Sequence, residues 1–281
     1  MAETNETQWG RSMTEQEYNR HEGIRRSDLW KVRESPEKYL WSIGHPELPT
    51  PALIFGAMVH KLLLEPGGFA DEYAVTPAID RRTKAGKEEW AAFSEKNADK
   101  QPVSMDDFLT AMDMVKAVER HPIAKKLLGG SHEIPLFWTD EDTGELCKCR
   151  LDILTELDGK PVVVDYKTAA SAMTDKFNAA IWQYGYHLQA YMYTEAVMKC
   201  LELDERPRFL FVVQEKKPPY AVNVIEATED VMTVGMDTFR ELIGILHQCL
   251  ETGYFYGFNG AFDDINEAYL PGYMTMGDEE E

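Results

Sequence analysis

The sequence predicts an α/β fold in which a mixed central sheet is flanked by helices and a helical N-terminal half packs against it. Two observations lead to this prediction. Apolar residues recur with a period near 3.6 from Ser27 to about Gly130, and with a period of two from Glu133 onward. Beyond that change, strand-like and helix-like segments follow one another, which is the order expected of a mixed α/β core.

The first half of the chain is predicted to be helical. Ser27-Asp28 is typical of an N-cap for a first short helix, and Ser35-Pro36 separates it from a second one. The next helix spans Pro51 to Glu65 and ends at Pro66-Gly67-Gly68. After a basic loop, further helices are predicted. The loop covers residues 77–86, and the helices cover 87–95, 105–119 and 123–128.

The second half alternates strands with helices. Asp158-Gly159 is a strong signal for a two-residue hairpin turn, which joins two predicted strands. A helical stretch follows and is broken near Gly185, and a long helix ends the pattern. The strands are predicted over 133–139, 146–157, 161–167, 208–214 and 220–225, and the helices over 174–201 and 228–249.

These elements fit a single domain over residues 27–250. Residues 1–26 are polar and weakly patterned, so we expect a flexible N-terminal segment. Residues 251–281 are an aromatic, Gly-rich C-terminal extension with an acidic tail at Asp278-Glu279-Glu280-Glu281.

The composition excludes several classes of protein. The chain has 281 residues, of which 44% are hydrophobic, and 4 cysteines, so it is neither a disordered chain nor a small disulfide scaffold. The formal net charge of −20 argues against nucleic-acid binding over the whole surface, but it leaves room for a local basic channel.

The sequence also predicts where the protein works. No apolar run approaches the ~20 residues that a membrane helix needs, so we expect no membrane contact. Residues 1–6 lack the basic and apolar regions of a secretory signal. The cysteines show neither zinc-site spacing nor a disulfide framework, which favours reduced thiols and a cytoplasmic location.

The most informative residues are charged side chains on two predicted neighbouring strands. Asp165 and Lys167 are two apart in a strand, so they project from the same face. The Asp158-Gly159 turn brings Asp152 near them, although the sequence does not fix the register. Two carboxylates and an amine at one place suit Mg²⁺, which prefers hard oxygen ligands, and a lysine beside the metal can orient the attacking water.

A surface ion pair on an edge strand is the alternative for Asp165 and Lys167. The apolar run Val162-Val163-Val164 before them indicates a buried strand, and the small residues Thr168 to Ser171 after them leave room for a substrate. The spacing alone leaves both interpretations open.

Other polar residues have a functional and a structural interpretation. His60 lies on a predicted helix, one turn after Gly56. It could serve as a metal ligand, or it could be a packed, hydrogen-bonded histidine. Gln189 and Tyr193 are four apart on a helix and share a face, which fits either a phosphate contact or a core helix with amphipathic tyrosines.

The densest basic cluster runs from Arg81 to Lys87 beside Trp90. Such a loop could bind phosphates by charge and by stacking, or it could be a solvated surface loop. The pair Lys216-Lys217 is a weaker version of this pattern, for which we favour an ordinary turn over a phosphate contact.

Together these residues resemble the PD-(D/E)xK nuclease superfamily, and specifically the exonuclease VIII (RecE-type) recombination exonucleases of its RecB-like branch. The resemblance covers about Ser27 to Cys249. It is carried by several elements in the family's order. They are the helix Gly56-Ala57-Met58-Val59-His60, Asp152 in Cys149-Arg150-Leu151-Asp152, Asp165-Tyr166-Lys167, the pair Gln189 and Tyr193, and the basic stretch Arg81–Lys87.

The resemblance implies a restriction-endonuclease-like core and a Mg²⁺-dependent DNA exonuclease, acting 5′-to-3′ on linear duplex in phage-type recombination or DNA end processing. Mn²⁺ is expected to substitute for Mg²⁺. The resemblance implies catalytic roles for Lys167, Asp165, Asp152 and His60. The metal ligands would be His60, Asp152, Asp165 and the backbone carbonyl of Tyr166. DNA contacts would come from Gln189, Tyr193, Arg81, Arg82 and Lys84.

The resemblance also implies partners. We expect double-stranded DNA ends, a single-strand annealing protein and a ring-shaped homo-oligomer in the cytoplasm of a bacterial host cell. The cysteines do not match the iron–sulfur pattern of some relatives, so we expect no such cluster. The alternative function is a nuclease-fold module that binds or assembles on DNA ends without turnover.

Overall fold

The computed structural model describes residues 13–260 and 265–269, together with the backbone of residues 6–7 and 10–11. Its centre is a mixed sheet of five strands within this described part. The mixed sheet flanked by helices confirms the predicted fold class.

The secondary structure follows this order along the chain. The strands are β1 (Glu6–Thr7), β2 (Gly10–Arg11), β3 (Tyr73–Val75), β4 (Gln101–Val103), β5 (Ser131–Thr139), β6 (Leu146–Leu157), β7 (Lys160–Ala169), β8 (Arg208–Glu215) and β9 (Val222–Glu226). The helices are α1 (Glu15–Arg20), α2 (Arg26–Glu34), α3 (Pro36–Gly44), α4 (Pro51–Leu64), α5 (Phe69–Glu72), α6 (Lys84–Lys96), α7 (Met105–Arg120), α8 (Pro122–Leu127), α9 (Thr174–Gln183), α10 (Tyr186–Cys200) and α11 (Glu229–Thr252), with a short 3₁₀ turn at Pro66–Gly68.

The sheet has the strand order β5-β6-β7-β8-β9. The pair β7 and β8 is parallel, and the other neighbouring pairs are antiparallel. Helices α9 and α10 form the crossover that a parallel connection requires. The strand β7 therefore lies in the middle of the sheet, and its run Val162, Val163 and Val164 is fully buried, as the sequence predicted.

Alternate residues of β7 contribute to two hydrophobic cores, one on each face of the sheet. Val163 belongs to the core formed with α2, α10 and α11, whereas Val162, Val164 and Tyr166 belong to the core formed with α4 and α7. Burying each large aliphatic or aromatic side chain contributes roughly 1.5–3 kcal/mol. Both faces are covered because a strand with no polar alternation cannot leave one side in water.

The N-terminal segment differs from its prediction over the part that the structure describes. Tyr18 of α1 is buried, and Ile24 forms a bridge with Cys147 of β6. The amine of Lys148 donates to the carbonyl of Tyr18 over 3.0 Å. Residues 15–26 thus pack on the sheet, because Lys148 and β6 supply partners that a local sequence pattern does not show. The boundaries of the predicted domain stay a prediction. The acidic tail of the predicted C-terminal extension lies outside the described residues.

Two other local predictions are wrong. The sequence pattern predicts no strand in the first half, but β3 and β4 form a parallel pair. Three-residue strands are too short to show a periodicity. The basic loop ends earlier than predicted, because Thr83 caps α6 by accepting a hydrogen bond from Gly86 N–H over 3.0 Å. Lys84 is therefore the first residue of a helix.

No helix in the described ranges is long and apolar enough to cross a lipid bilayer.

Helices α10 and α11 approach each other closely at Gly235. A Cβ atom at this position would lie 2.3 Å from the carbonyl oxygen of His187. Gly244, on the same helix, has nothing within 4 Å of the position that a Cβ would take. Comparing alanine substitutions at these two glycines of α11 therefore separates the effect of close helix packing from the effect of helix propensity.

We expect Gly235→Ala to destabilise the fold by about 1–3 kcal/mol, because the helices must move apart to admit the methyl group. Gly244→Ala should instead stabilise it by up to about 1 kcal/mol. Urea unfolding followed by circular dichroism measures both. Equal effects of the two substitutions would contradict the close approach.

Asp140 ties the β5–β6 hairpin to α11. Its carboxylate accepts hydrogen bonds from Thr143 and, over 2.5 Å, from Arg240. Burial on its own would raise the pKa of Asp140, but the hydrogen bonds from Thr143 and Arg240 hold it below its usual range. The ionised form is thus favoured in the folded chain.

A carboxyl group with a lowered pKa stabilises the fold above its unfolded pKa of about 3.9, and this contribution is lost as the pH falls through the folded value. We expect Asp140→Asn to lower the free energy of unfolding at pH 7 by about 1–3 kcal/mol. The gap to the unchanged protein should shrink as the pH falls below about 4. Urea titrations at several pH values test this.

Asp142 provides the control, since it also contacts Arg240, at 2.8 Å, but is 72% exposed. Asp142→Asn should change the stability by less than about 1 kcal/mol. A pH-independent effect of Asp140→Asn would contradict the role of its charge.

Candidate active site

A cavity of about 1090 Å³ opens beside the carboxyl ends of β7 and β8. His60 from α4, Glu133 from β5 and Lys167 from β7 line it. Asp152 and Asp165 lie directly behind these side chains and contact them. The structure therefore brings together all four residues on which the predicted catalytic site depends.

The hairpin between β6 and β7 places the two aspartates opposite each other. Its ladder runs from Leu157 paired with Lys160 to Ile153 paired with Val164. Asp152 and Asp165 are the next position in this register. Asp152 Oδ2 accepts the backbone N–H of Tyr166 over 2.8 Å. The tight turn at Asp158-Gly159 is thus the local signal that sets the distance between the carboxylates.

His60 connects the helix to two carboxylates. Its Nε2 lies 3.1 Å from Asp152 Oδ2, and its Nδ1 lies 3.4 Å from Glu133 Oε1. Burial lowers the pKa of the imidazole, but the charges of Asp152 and Glu133 outweigh burial and raise it to about 9. His60 is therefore part of a polar cluster rather than a packed core histidine.

Glu133 is a site residue that the sequence analysis missed. The ladder pairs on either side of it, His132 with Ile153 and Ile134 with Leu151, place it opposite Asp152. Its backbone has φ 54°, a left-handed conformation that is uncommon outside glycine. Burial raises its pKa to about 7, although His60 and Arg150 act in the opposite direction.

A sequence signal for Glu133 exists. If Thr139 pairs with Leu146 across the β5–β6 turn, counting back along both strands pairs Glu133 with Asp152. Arg150 then approaches the same carboxylate, with its Nε 2.5 Å from Glu133 Oε2. The residue could have been found by treating β5–β6 as a hairpin in the same way as β6–β7.

Asp165 and Lys167 form a buried pair on the same face of β7. Lys167 Nζ lies 2.7 Å from Asp165 Oδ2, and Asp165 is 1% exposed. The alternative of a surface pair on an edge strand is therefore wrong, since β7 is a central strand. Burial raises the pKa of Asp165 to about 6. For Lys167, burial acts to lower the pKa, but Asp165 and Asp152 outweigh it and raise the pKa.

Among the described residues, His60, Glu133 and Asp152 offer ligand atoms within 4.8 Å of one another. One imidazole nitrogen and two carboxylates can hold a divalent cation, and this donor set fits a metal site. The cation would also neutralise Glu133, whose pKa burial has raised. The predicted ligand set of His60, Asp152, Asp165 and Tyr166 stays a prediction, and the geometry adds Glu133 to it.

Gln189 lies behind the cavity rather than on its wall. Its side chain is 3% exposed and donates to Asp165 Oδ1 over 2.5 Å. Tyr193, one turn further along α10, packs with its ring 6.4 Å from that of Phe209. In this structure Gln189 positions Asp165, and the predicted DNA contacts of Gln189 and Tyr193 stay predictions.

The basic residues of the predicted DNA-binding stretch are largely engaged with their neighbours and do not line this cavity. Arg82 forms an ion pair with Asp80 at 2.9 Å, and Lys84 lies 3.9 Å from Glu88. The guanidinium of Arg81 stacks on Trp90 at 3.2 Å from the ring centroid. Their proposed contact with DNA is not tested by these positions.

The mixed sheet and the acidic site on neighbouring strands define a domain of the PD-(D/E)xK type. The family described as "PDDEXK-like domain of unknown function (DUF3799)" matches residues 27–256, which is most of the chain. The chain belongs to this family, and the predicted membership of the PD-(D/E)xK nuclease superfamily is confirmed.

A solved structure agrees with this fold. The chain is similar to a "putative exonuclease" from Eubacterium rectale, with a TM-score of 0.61 and 13% identity, over 96% of this chain and 100% of that one. At this identity the likeness shows the fold alone. A structure named SSO0001 is 14% identical over 66% of this chain and 85% of that one, with a TM-score of 0.28 that carries no argument. No match was found among curated proteins.

We expect Glu133→Gln to weaken divalent-cation binding by about tenfold or more, a loss of at least roughly 1.4 kcal/mol, because it removes one charged ligand. Isothermal titration with Mn²⁺ measures the affinity. Glu156→Gln is the matched control, since Glu156 is an exposed residue of the strand that carries Asp152. Unchanged affinity in Glu133→Gln would exclude Glu133 from the metal site.

Proposed function

We propose that this protein is a metal-dependent nuclease that hydrolyses phosphodiester bonds in DNA. One observation carries the proposal. The ligand group of His60, Glu133 and Asp152 adjoins the buried pair of Asp165 and Lys167 at one cavity wall. Carboxylates that can hold a cation, next to a cationic amine, suit metal-assisted hydrolysis of a phosphate diester.

The residues have separate roles in this proposal. His60, Glu133 and Asp152 would hold Mg²⁺, for which Mn²⁺ can substitute. The predicted ligand set also contains Asp165 and the backbone carbonyl of Tyr166. When bound, the ion would supply a water of lowered pKa and would polarise a phosphate oxygen. Asp165 fixes the amine of Lys167, which lines the cavity with 20% of its side chain exposed. Lys167 keeps its proton, so it orients the attacking water and stabilises the developing negative charge.

Gln189 completes this arrangement from behind the sheet. Its amide donates to the oxygen of Asp165 that Lys167 does not contact. With both oxygens engaged, the carboxylate is held in one orientation. The role of Gln189 in the proposal is therefore to position Asp165.

The finer features of the proposal come from the family resemblance. They are exonuclease action 5′-to-3′ on linear duplex ends, a part in phage-type recombination or DNA end processing, and a cytoplasmic location in a bacterial host cell. A ring-shaped homo-oligomer and a single-strand annealing partner belong to the same proposal. The similar protein from Eubacterium rectale is described as a "putative exonuclease", which supports exonuclease action.

Incubation with linear and with circular duplex DNA, each with Mg²⁺ or with EDTA, tests the function. We expect nucleotides to be released from linear DNA only when Mg²⁺ is present, and we expect circular DNA to stay intact. Cleavage of circular DNA would point to an endonuclease. Binding to DNA ends without any metal-dependent turnover would instead identify an end-binding module.

We expect Lys167→Ala and Asp165→Ala to reduce the cleavage rate by about 10²–10⁴-fold, since each removes a group that acts on the reacting atoms or holds one in place. Lys160→Ala is the control, because Lys160 starts the same strand, is 70% exposed and pairs with Glu205. Full activity in Lys167→Ala would refute its assigned role, whereas loss of activity in Lys160→Ala would show that the assay reports folding.

A further inference from the structure

Several basic side chains that line the active-site cavity are neutralised by nearby acids. Each forms an ion pair of 2.8 Å or less with a neighbouring carboxylate. The pairs are Lys61 with Glu65, Arg150 with Glu133, and Lys167 with Asp165. These cations balance the acidic site, and little of their charge is left to attract an anionic substrate.

Lys176 and Lys216 differ from these paired residues. Both line the same cavity, and neither side chain forms an ion pair or a hydrogen bond within the part of the chain that the structure describes. Arg26 lines the cavity with them and donates only to the backbone carbonyl of Tyr184, over 3.2 Å. In a chain with a formal net charge of −20, unpaired cations gathered in one cavity are unusual.

Both lysines lie beyond the end of the strand segment that carries Lys167. Lys216 comes directly after β8, and its backbone N–H donates to the carbonyl of Ala169, two residues beyond Lys167. The ladder pairs Ala169 with Glu215, so Lys216 is level with the third residue after Lys167. At roughly 3.3 Å per strand residue, this places Lys216 about 10 Å along the strand direction from Lys167. Lys176 lies in the first turn of α9, which begins after the loop that leaves β7.

The loop that joins β7 to α9, just before Lys176, is held in place by side chains from the neighbouring strands. Glu215 accepts the backbone N–H of Ala172 over 3.0 Å. Asn223 donates to the carbonyl of the same residue over 2.8 Å and to the hydroxyl of Thr174 over 3.2 Å. The backbone that carries Lys176 therefore has a fixed position relative to the site, although the lysine side chain itself is exposed.

We infer that Lys176 and Lys216 form a binding site for the phosphodiester backbone of the DNA strand that enters the cavity. Unpaired ammonium groups bind phosphate as point charges, and they do so for any base sequence. This inference rests on the proposed nuclease function and deepens it. It assigns the backbone contact to residues on the cavity wall, in addition to the basic stretch at Arg81.

The site is tested by equilibrium binding of a short fluorescein-labelled linear duplex, measured by fluorescence anisotropy in EDTA, where the proposed cleavage does not occur. We expect Lys176→Ala combined with Lys216→Ala to weaken binding by about tenfold, because two phosphates no longer have a cationic partner. The slope of log affinity against log salt should fall by roughly 0.9 for each phosphate that is left without its lysine.

Lys217→Ala is the matched control, since Lys217 is exposed, adjacent to Lys216 and does not line the cavity. The DNA affinity of Lys217→Ala should lie within about twofold of that of the unchanged protein, and its salt slope within about 0.3, because Lys217 makes no phosphate contact. Lys176→Arg with Lys216→Arg should keep most of the affinity. In Mg²⁺, the double alanine variant should raise KM more than it lowers kcat.

The outcomes separate this inference from the proposed function. If the unchanged protein binds and cleaves DNA while the double alanine variant binds equally well, the lysine site is wrong and the nuclease remains. The same holds if Lys217→Ala weakens binding as much as the double alanine variant does. If the unchanged protein neither binds nor cleaves DNA, both proposals are wrong. Thermal melting by circular dichroism should show the same midpoint for all these variants.

Discussion

The site depends on keeping three acidic side chains close together where little water reaches them. Asp165 is 1% exposed, and Glu133 and Asp152 have side chains that are 12% and 16% exposed. Like charges a few ångströms apart repel by several kcal/mol even at an effective dielectric constant of about 20. Opposite charges at similar distances come from His60, Arg150 and Lys167. Without those partners the acids would take up protons or separate.

This balance also explains how the fold supplies the site. The acids lie on three adjacent strands, β5, β6 and β7, while His60 comes from a helix that packs on one face and Gln189 from a helix on the other. The sheet sets the spacing of the carboxylates, and the two helical layers supply the groups that fix and partly neutralise them. The hydrophobic cores on the two faces hold these layers together.

Sequence reasoning recovered the parts of the site that local rules determine. The Asp165–Lys167 pair follows from strand periodicity, and the proximity of Asp152 follows from a two-residue hairpin turn. Glu133 was missed because its contribution depends on a second hairpin register and on a left-handed backbone that no propensity indicates. The sequence left Gln189 open between a phosphate contact and a core helix, because the apolar surroundings of α10 come from other elements distant in sequence.

The hairpin at Asp158-Gly159 has a consequence for how this chain can vary. Strand side chains alternate between the two faces of a sheet, so shifting the pairing by one residue reverses the face on which each side chain lies. Asp152 is opposite Asp165 because that turn fixes the register between β6 and β7. A single inserted residue at this exposed corner would disturb the pairing far more than the same insertion in the loop after β3. The length of a surface turn is thus subject to the same geometric constraint as the buried acids that it aligns.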